Sequence, residues 1–298
     1  MYKSNINLNL YKTFYEVSKY GSITETAKKT YSSQPAISKA IKRLEEDLDV
    51  QLFYRNLNGV KLTNKGKELL SYVEKAYNNL VVAERSMIET ENLERGKLSI
   101  GMPSNIGSFF LFDKIIEFHN KYKNIEFTII TGSTHSLLNL LENHTIDFII
   151  DTSPIITNDA NTIVKPLTTA KYCFVSNKDF KNKDNIKKLK DLENEQLILP
   201  IPKTANRNDL DDILKVNNVK IENVLNIHTS EMIISAVKKN LGIGYVIENL
   251  VEGDQDLEIL NINENLPSVT INLVYNKNYL TTAPKKFIKA YIDDNLSL

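Results

Sequence analysis

Residues 34 to 43 hold a set of groups suited to a polyanion. Gln34, Ser38 and Lys42 recur every four residues, and Pro35, Lys39 and Arg43 form the adjacent row. On a helix such rows share one side, so an amide, a hydroxyl and three cations stand together. Amides and hydroxyls match the donor and acceptor edges of bases in a DNA groove, while cations neutralise phosphates. Taken alone, the same cations also suit an ordinary solvated helix face.

A second set of polar groups sits in loops: Pro103-Ser104-Asn105, Thr131-Gly132-Ser133-Thr134 and Lys203-Thr204-Ala205-Asn206. Each precedes a helical pattern, where free N–H groups and hydroxyls favour an anion such as a carboxylate, or serve simply as helix caps. Enzymatic patterns do not emerge. Gly242-Ile243-Gly244 lacks the third glycine of a dinucleotide loop, and neither a phosphate-binding G-x-x-x-x-G-K nor a G-x-S-x-G motif occurs. His119, His135, His144 and His228 have no metal-ligand spacing, and Asp147 and Asp151 form a pair common at strand ends without catalysis. The expectation is no catalytic residue, no metal and no cofactor.

The elements that position the first set follow from periodicity. Leu10, Phe14 and Val17 give an opening helix that stops at Gly21. Ser22-Ile23-Thr24-Glu25 reads as a capping box for a short second helix, and Ser33-Gln34-Pro35 as a cap with proline in the first turn. In the third helix Ile37, Ile41, Leu44 and Leu48 form the inward stripe, leaving the polar rows outside. Asn58-Gly59 between QLFYR and VKLT is a hairpin signal. Thr63 can then cap a long helix reaching about Asn92, in which Leu69, Val73, Ala76, Leu80, Ala83 and Met87 alternate steps of four and three. That narrow seam suits a two-helix coiled coil and hence a dimer, with packing onto its own domain as the alternative. Arg95-Gly96 is the expected hinge.

From Lys97 short apolar runs alternate with amphipathic stretches. Strands are predicted at LSIGM, IEFTII, IDFII, YCFVS, QLILP, VLNI, IGYVI and VTINLVY, and helices around 108–121, 134–142, 207–216, 230–240 and 281–294. The rhythm is α/β with a largely parallel sheet, whose ligands bind outside the carboxyl ends of the strands.

The 298 residues exceed one typical domain, with 42% hydrophobic and 25% charged residues and no net charge. Through Gly66 eleven Lys and Arg stand against six acids, a net +5 that the rest of the chain balances. A basic end on an otherwise acidic chain fits nucleic-acid binding. No apolar run approaches the ~20 residues of a membrane span, and the first residues lack a signal-peptide pattern, so a cytoplasmic protein without membrane contact is expected. The single cysteine, Cys173, excludes an internal disulfide and reads as a small core residue.

The stretch SITETAKKTYSSQPAISKAIKRLEEDLDVQLFYRNLNGVKLTNKG resembles the DNA-binding domain of LysR-type transcription regulators, through Gln34, Pro35, Ala36, Ser38, Leu44-Glu45, Leu52-Phe53, Arg55, Leu62-Thr63 and Gly66. The resemblance implies a winged helix-turn-helix in which Ser33, Gln34, Pro35, Ser38, Lys39, Lys42, Arg43 and Arg55 face DNA, with Asn58-Gly59 at the wing tip. Thr26, Thr30 and Asp49 depart from the usual alanine, leucine and glycine; the first two loosen packing, and Asp49 tolerates a left-handed turn. The remainder looks like the family's effector domain, two lobes related to periplasmic binding proteins, through Gly101, Ser104, Asp147, LILP, Thr229-Ser230-Glu231 and Gly242-Ile243-Gly244. His144 and Glu248 depart from the usual glycine and proline.

The expected architecture is therefore α/β overall: an all-α winged domain over 1–66, a linker and dimerisation helix over 67–95, and an effector domain over 96–298. Lobe I would comprise 97–163 and 269–298, and lobe II 164–268. Ser104, Asn105, Thr131, Ser133, Thr134, Thr204 and Thr229 are the expected effector contacts, with Lys203 or Arg207 adding a charge. Implied partners are double-stranded operator DNA, a small-molecule effector, a second copy in a homodimer extended to a homotetramer, and RNA polymerase.

Overall fold

The computed structural model describes residues 7–56, 59–89 and 93–293. Two units emerge, one of residues up to Ile88 with Glu142–Thr145, the other of Glu89–Leu141 and Ile146 onward. No described helix is long and apolar enough to cross a membrane.

The first unit comprises α1 (Leu8–Tyr20), α2 (Ile23–Lys29), α3 (Gln34–Leu48), the antiparallel strands β1 (Phe53–Asn56) and β2 (Gly59–Leu62), and α4 (Asn64–Ile88). Local chemistry sets the helix ends. Ser22 Oγ accepts the Glu25 N–H at 3.3 Å and Ser33 Oγ the Ala36 N–H at 3.3 Å, each satisfying a free first-turn donor. Phe14, Val17, Ile41, Leu44 and Leu52 are buried together, with the Phe14 and Phe53 rings 5.3 Å apart. Thr26 is buried, yet its hydroxyl donates to Ser22 O at 2.7 Å, and Thr30 donates to Thr26 O at 2.8 Å. Neither departure from an apolar residue leaves an unpaired hydroxyl. Asp49 adopts φ 54°, the left-handed ending of α3. The hairpin tip at Asn58 lies outside the described residues. Val60 N–H donates to Gly21 O at 2.9 Å, and a Cβ on Gly59 would lie 2.4 Å from the same oxygen. Only glycine permits that approach.

The long helix differs from expectation in two respects. It ends at Ile88, short of Asn92, and its seam divides. Leu69 and Val73 pack into the core of their own unit, while Leu80 and Met87 remain 60% and 83% exposed. One turn of the stripe therefore completes the small domain's core, and the distal turns stay outward.

In the second unit β3 (Gly96–Met102), α5 (Ser104–Ile106), a π-turn (Gly107–Leu111), α6 (Phe112–Lys121), β4 (Ile125–Thr131), α7 (Thr134–Glu142) and β5 (Phe148–Thr152) precede β6 (Thr162–Asn177). Then follow β7 (Leu197–Pro200), α8 (Ala205–Val216), β8 (Val224–Ile227), α9 (Ser230–Lys238), β9 (Ile243–Ile247), β10 (Leu257–Ile259), β11 (Ser268–Asn276) and α10 (Thr282–Phe287), which continues as a π-turn over Ile288–Ile292. Strand order is β4-β3-β5-β11-β6-β9-β7-β8, with β10 on β6.

The sheet is less parallel than the sequence rhythm suggests. β3 pairs in parallel with β4 and β5, and β7 with β8 and β9, but every pairing of β6 and β11 is antiparallel. The first ten residues of β6 carry no strand signal in the sequence, because Pro166 removes a ladder donor. The proline sits at a bulge, where the register shifts between Ile271/Thr168 and Asn272/Pro166 and leaves Leu167 unopposed. Phe287 stacks on Phe148 of β5 and on Tyr291, and Phe118 meets Phe287 and Tyr291 edge-on, in the core that includes Leu98 and Ile100 of β3, while Val175, Ile198, Ile233 and Val237 form the core beside α9.

Gly96 is not a free hinge. It pairs with Ile125 as the first residue of β3, and a Cβ there would lie 2.9 Å from the Ile125 side chain. Beside it the buried Glu89 carboxylate accepts the Ala283 N–H at 3.0 Å and the Lys97 N–H at 3.3 Å. Thr281, the N-cap residue of α10, makes no side-chain cap bond, so Glu89 supplies the anionic cap from far away in sequence.

Candidate nucleic-acid interface and ligand cavity

Burial of Ile37, Ile41 and Leu44 turns the opposite side of α3 outward, and Gln34, Pro35, Lys39, Lys42 and Arg43 are exposed along it. Ser38 lies half-buried at its centre. Arg55 reaches across from β1, its guanidinium donating to Ser38 Oγ at 3.2 Å. The two elements are further joined by Glu45, whose carboxylate accepts the N–H groups of Leu52 at 2.7 Å and Phe53 at 3.1 Å. In the sequence Glu45 stands out only as part of a motif; its tie to the strand, seven and eight residues on, is not legible there.

Lys42 and Arg43 also meet Glu46 and Asp47 at 3.6 and 3.9 Å along the helix. Such exposed pairs contribute little and can be exchanged for phosphate contacts. A helix with an amide and a hydroxyl at its start and cations toward its end, backed by an apolar stripe and flanked by a hairpin arginine, can enter a major groove and bind both strands' phosphates.

In the second unit a cavity of about 370 Å³ opens at the carboxyl ends of the parallel strands. Ser104 and Asn105 follow β3, Thr131 ends β4 and Ser133 follows it, Thr204 and Asn206 follow β7, and His228, Thr229 and Ser230 follow β8. Six of the seven expected contacts thus line one space. Asn206, His228 and Ser230 join them; His228 has no metal partner at any diagnostic spacing, so the sequence holds no signal for it. The hydroxyls already have local bonds: Thr229 Oγ1 accepts the Met232 N–H at 3.4 Å, and Thr204 donates to Ile201 O at 2.9 Å. Their lone pairs and the amide ends of α8 and α9 make the wall polar and partly electropositive.

Three expected contributors lie elsewhere. Thr134 does not line the cavity and instead hydrogen-bonds the Asp151 carboxyl. Arg207 turns aside, its guanidinium donating to Asp211 at 2.8 Å, Pro200 O at 2.9 Å and Asn226 Oδ1 at 2.7 Å. Lys203 is exposed at φ 73° and is not among the lining residues. Among the described residues, His228 is therefore the one ionisable side chain on the wall.

Asp151 is 1% exposed at the end of β5, its Oδ1 accepting the Thr152 N–H at 2.6 Å. Burial raises its carboxyl above the ordinary value, against the opposing hydrogen bonds from Thr134 and Thr152. A carboxyl raised on folding stabilises below its unfolded pKa and loses that contribution as pH rises through the folded one. Asp151→Asn is therefore expected to raise the melting temperature at pH 7, with the gain vanishing as pH is lowered to the unfolded value near 3.8. Calorimetry across that range checks it; a variant equally destabilised at every pH would show that burial of the charge is not the cost. Burial also pushes the Cys173 thiol up to about 12, with Glu248 adding to it, so the thiol stays protonated and inert.

Comparison with known proteins yields two family matches. Residues 8–67 match the model described as bacterial regulatory helix-turn-helix protein, lysR family. Residues 91–294 match the LysR substrate binding domain. A probable RuBisCO transcriptional regulator of Phaeodactylum tricornutum is 28% identical over 262 residues, covering 85% of each chain. Among solved structures, a full-length OxyR variant from Pseudomonas aeruginosa superposes with a TM-score of 0.72 at 18% identity, covering 95% of this chain and 93% of that one. Full-length CbnR complexed with its target DNA gives 0.68 at 16% identity, covering 96% and 99%. At such identities the structural likeness speaks for the fold.

Proposed function

The chain belongs to the LysR family of bacterial transcriptional regulators, and from that premise we propose that it binds operator DNA as a symmetric homodimer, extended to a homotetramer, under control of a small anionic metabolite. The observation that carries the reading is α3: Gln34, Ser38, Lys39 and Lys42 outward, Ile37, Ile41 and Leu44 inward, and Arg55 tied to Ser38. Two such helices related by a two-fold axis read a palindromic site about one DNA turn between centres. Support for a dimer comes from the groove of about 660 Å³ between α1 and α4, where Leu8, Tyr72 and Leu80 are exposed around an apolar floor. Exposed apolar surface of that kind is a usual protein contact.

The metabolite occupies the cavity of Ser104, Thr131, Ser133, Thr204 and Thr229. With no lysine or arginine among its described lining residues, the cavity suits one carboxylate held by hydroxyls and helix amides better than a multiply charged compound. The ligand favours one arrangement of the second unit only if it binds that arrangement more tightly, and DNA affinity or bending follows through linkage. The regulator acts in the cytoplasm, without catalysis, and RNA polymerase is its downstream partner.

Footprinting upstream of the protein's own gene tests this, with and without carboxylates selected by thermal shift. A footprint changed by a saturating carboxylate is the expected result. An unchanged footprint despite saturation removes the coupling, and no salt-sensitive affinity for any duplex removes the regulator reading.

A further inference from the structure

We propose that Tyr31, in the turn between α2 and α3, is a DNA-backbone contact, its phenol donating a hydrogen bond to a phosphate beside the groove that α3 enters. The inference rests on the DNA-binding reading above and adds a residue that neither the helix periodicity nor the family motif singles out.

Tyr31 is in a conformation its side chain disfavours. The Ser32 N–H donates to Ala27 O at 2.9 Å and the Tyr31 N–H to Lys28 O at 3.4 Å, which together close the end of α2. This paired closure requires the residue after the cap to be left-handed, a place taken mostly by glycine and sometimes by asparagine. Tyr31 occupies it at φ 53°. A bulky residue there brings its Cβ against the backbone.

At four other positions the chain resolves the same conflict, while Lys203, exposed at φ 73°, does not. Asp49, Asn218 and Asn240 adopt it with short polar side chains. Leu93 adopts it at φ 53° but is only 2% exposed, so its burial offsets the strain. Tyr31 has neither compensation, for its side chain is 100% exposed. A strained, unburied aromatic points to a use outside the folded monomer.

Its surroundings name the partner. Tyr31 stands two residues before Ser33, the cap of α3, and three before Gln34. Lys28 and Lys29, the last residues of α2, are exposed beside it, as are Ser32 and Ser33. No acidic residue lies between Lys28 and Arg43 in sequence. A neutral O–H donor among cations at the start of a recognition helix suits an anionic oxygen, and tyrosine is among the usual donors to DNA phosphates.

Because the contact is to the backbone, a mixed-sequence duplex of about three helical turns serves as probe. Full-length wild type, Tyr31→Phe and Tyr31→Gly are compared by fluorescence anisotropy across a KCl series and by thermal melting. Both variants are expected to bind at least about tenfold more weakly at a given salt concentration, as for loss of a hydrogen bond to a charged group. The salt dependence should keep its slope, since no cation is removed. Tyr31→Gly should also melt higher than wild type, which separates weaker DNA binding from a weaker fold. Binding by both variants within about twofold of wild type overturns the assignment. So does a loss confined to Tyr31→Gly and accompanied by a lower melting temperature, which makes the residue structural. A wild type without salt-sensitive affinity for the duplex overturns the DNA-binding reading together with it.

Discussion

Replacing Lys39, Lys42 and Arg55 together by alanine is expected to weaken duplex DNA binding about 10³-fold, roughly tenfold for each cation withdrawn from a phosphate. It should also flatten the dependence of log affinity on log salt by between about two and three, because each cation that neutralises a phosphate displaces close to one counterion. The three residues come from two elements, α3 and β1, and are held on one face by the Arg55 to Ser38 bond and by the burial of Ile41 and Leu44 beneath. Folding should be nearly unaffected. The ion pair broken, Lys42 with Glu46 at 3.6 Å, is exposed and of little energetic consequence. Anisotropy titrations at several KCl concentrations read both quantities. If affinity falls while the slope stays as in wild type, the cations do not reach phosphates and α3 is not the recognition helix.

Glu45→Ala is expected to loosen the hairpin from α3. Its carboxylate accepts two N–H groups, from Leu52 and Phe53, at the point where the chain enters β1. Leu52 and Phe53 are buried, so the freed donors are only partly reached by water. Bonds to a charged acceptor are each worth about 1.5–3 kcal/mol, and leaving buried donors unpaired keeps most of that cost, so about 3 kcal/mol is expected. Hydrogen exchange should show the Leu52 and Phe53 amides losing about 10²-fold protection, with DNA affinity falling as Arg55 loses its placement. Glu45→Gln keeps an acceptor oxygen and should fall between. Unchanged protection at both amides in the alanine variant would mean that core packing, rather than the carboxylate, holds the hairpin.

These two experiments probe features that are unequally visible in the sequence. Lys39, Lys42 and Arg43 can be assigned to the outer side of α3 because Ile37, Ile41 and Leu44 define the inner one, and helix geometry fixes neighbours three and four residues apart. Ser22 and Ser33 are legible as caps for the same local reason. Glu45 is not legible as a hairpin anchor, because nothing in its spacing selects Leu52 and Phe53. The seam of α4 shows the limit plainly: Val73 and Leu80, one heptad apart, occupy equivalent positions in the pattern, yet one is drawn into the core beside α1 and the other is left outside.

In the second unit the disparity is larger. Thr131, Ser133 and Thr134 are near neighbours in sequence, but the strand's end aims two of them at the cavity and the start of α7 gives the third to Asp151. Arg207 carries the right charge for an anion and is diverted by Asp211, Asn226 and a carbonyl. Pro166 argues against a strand that exists because a bulge absorbs it.

By itself, then, the sequence determined the class of the chain, the helices and caps of its first unit, which side of α3 is polar, and the alternation of strands and helices beyond. All of these depend on backbone periods and on groups a few residues apart. Tertiary structure alone decided that Ser104, Thr131, Thr204 and Thr229 share one cavity, that β6 and β11 run antiparallel to their neighbours, and which cations stay at a surface. Those outcomes depend on contacts between segments up to a hundred or more residues apart. Competition for burial and hydrogen bonds chooses among such contacts, and no local spacing records its result.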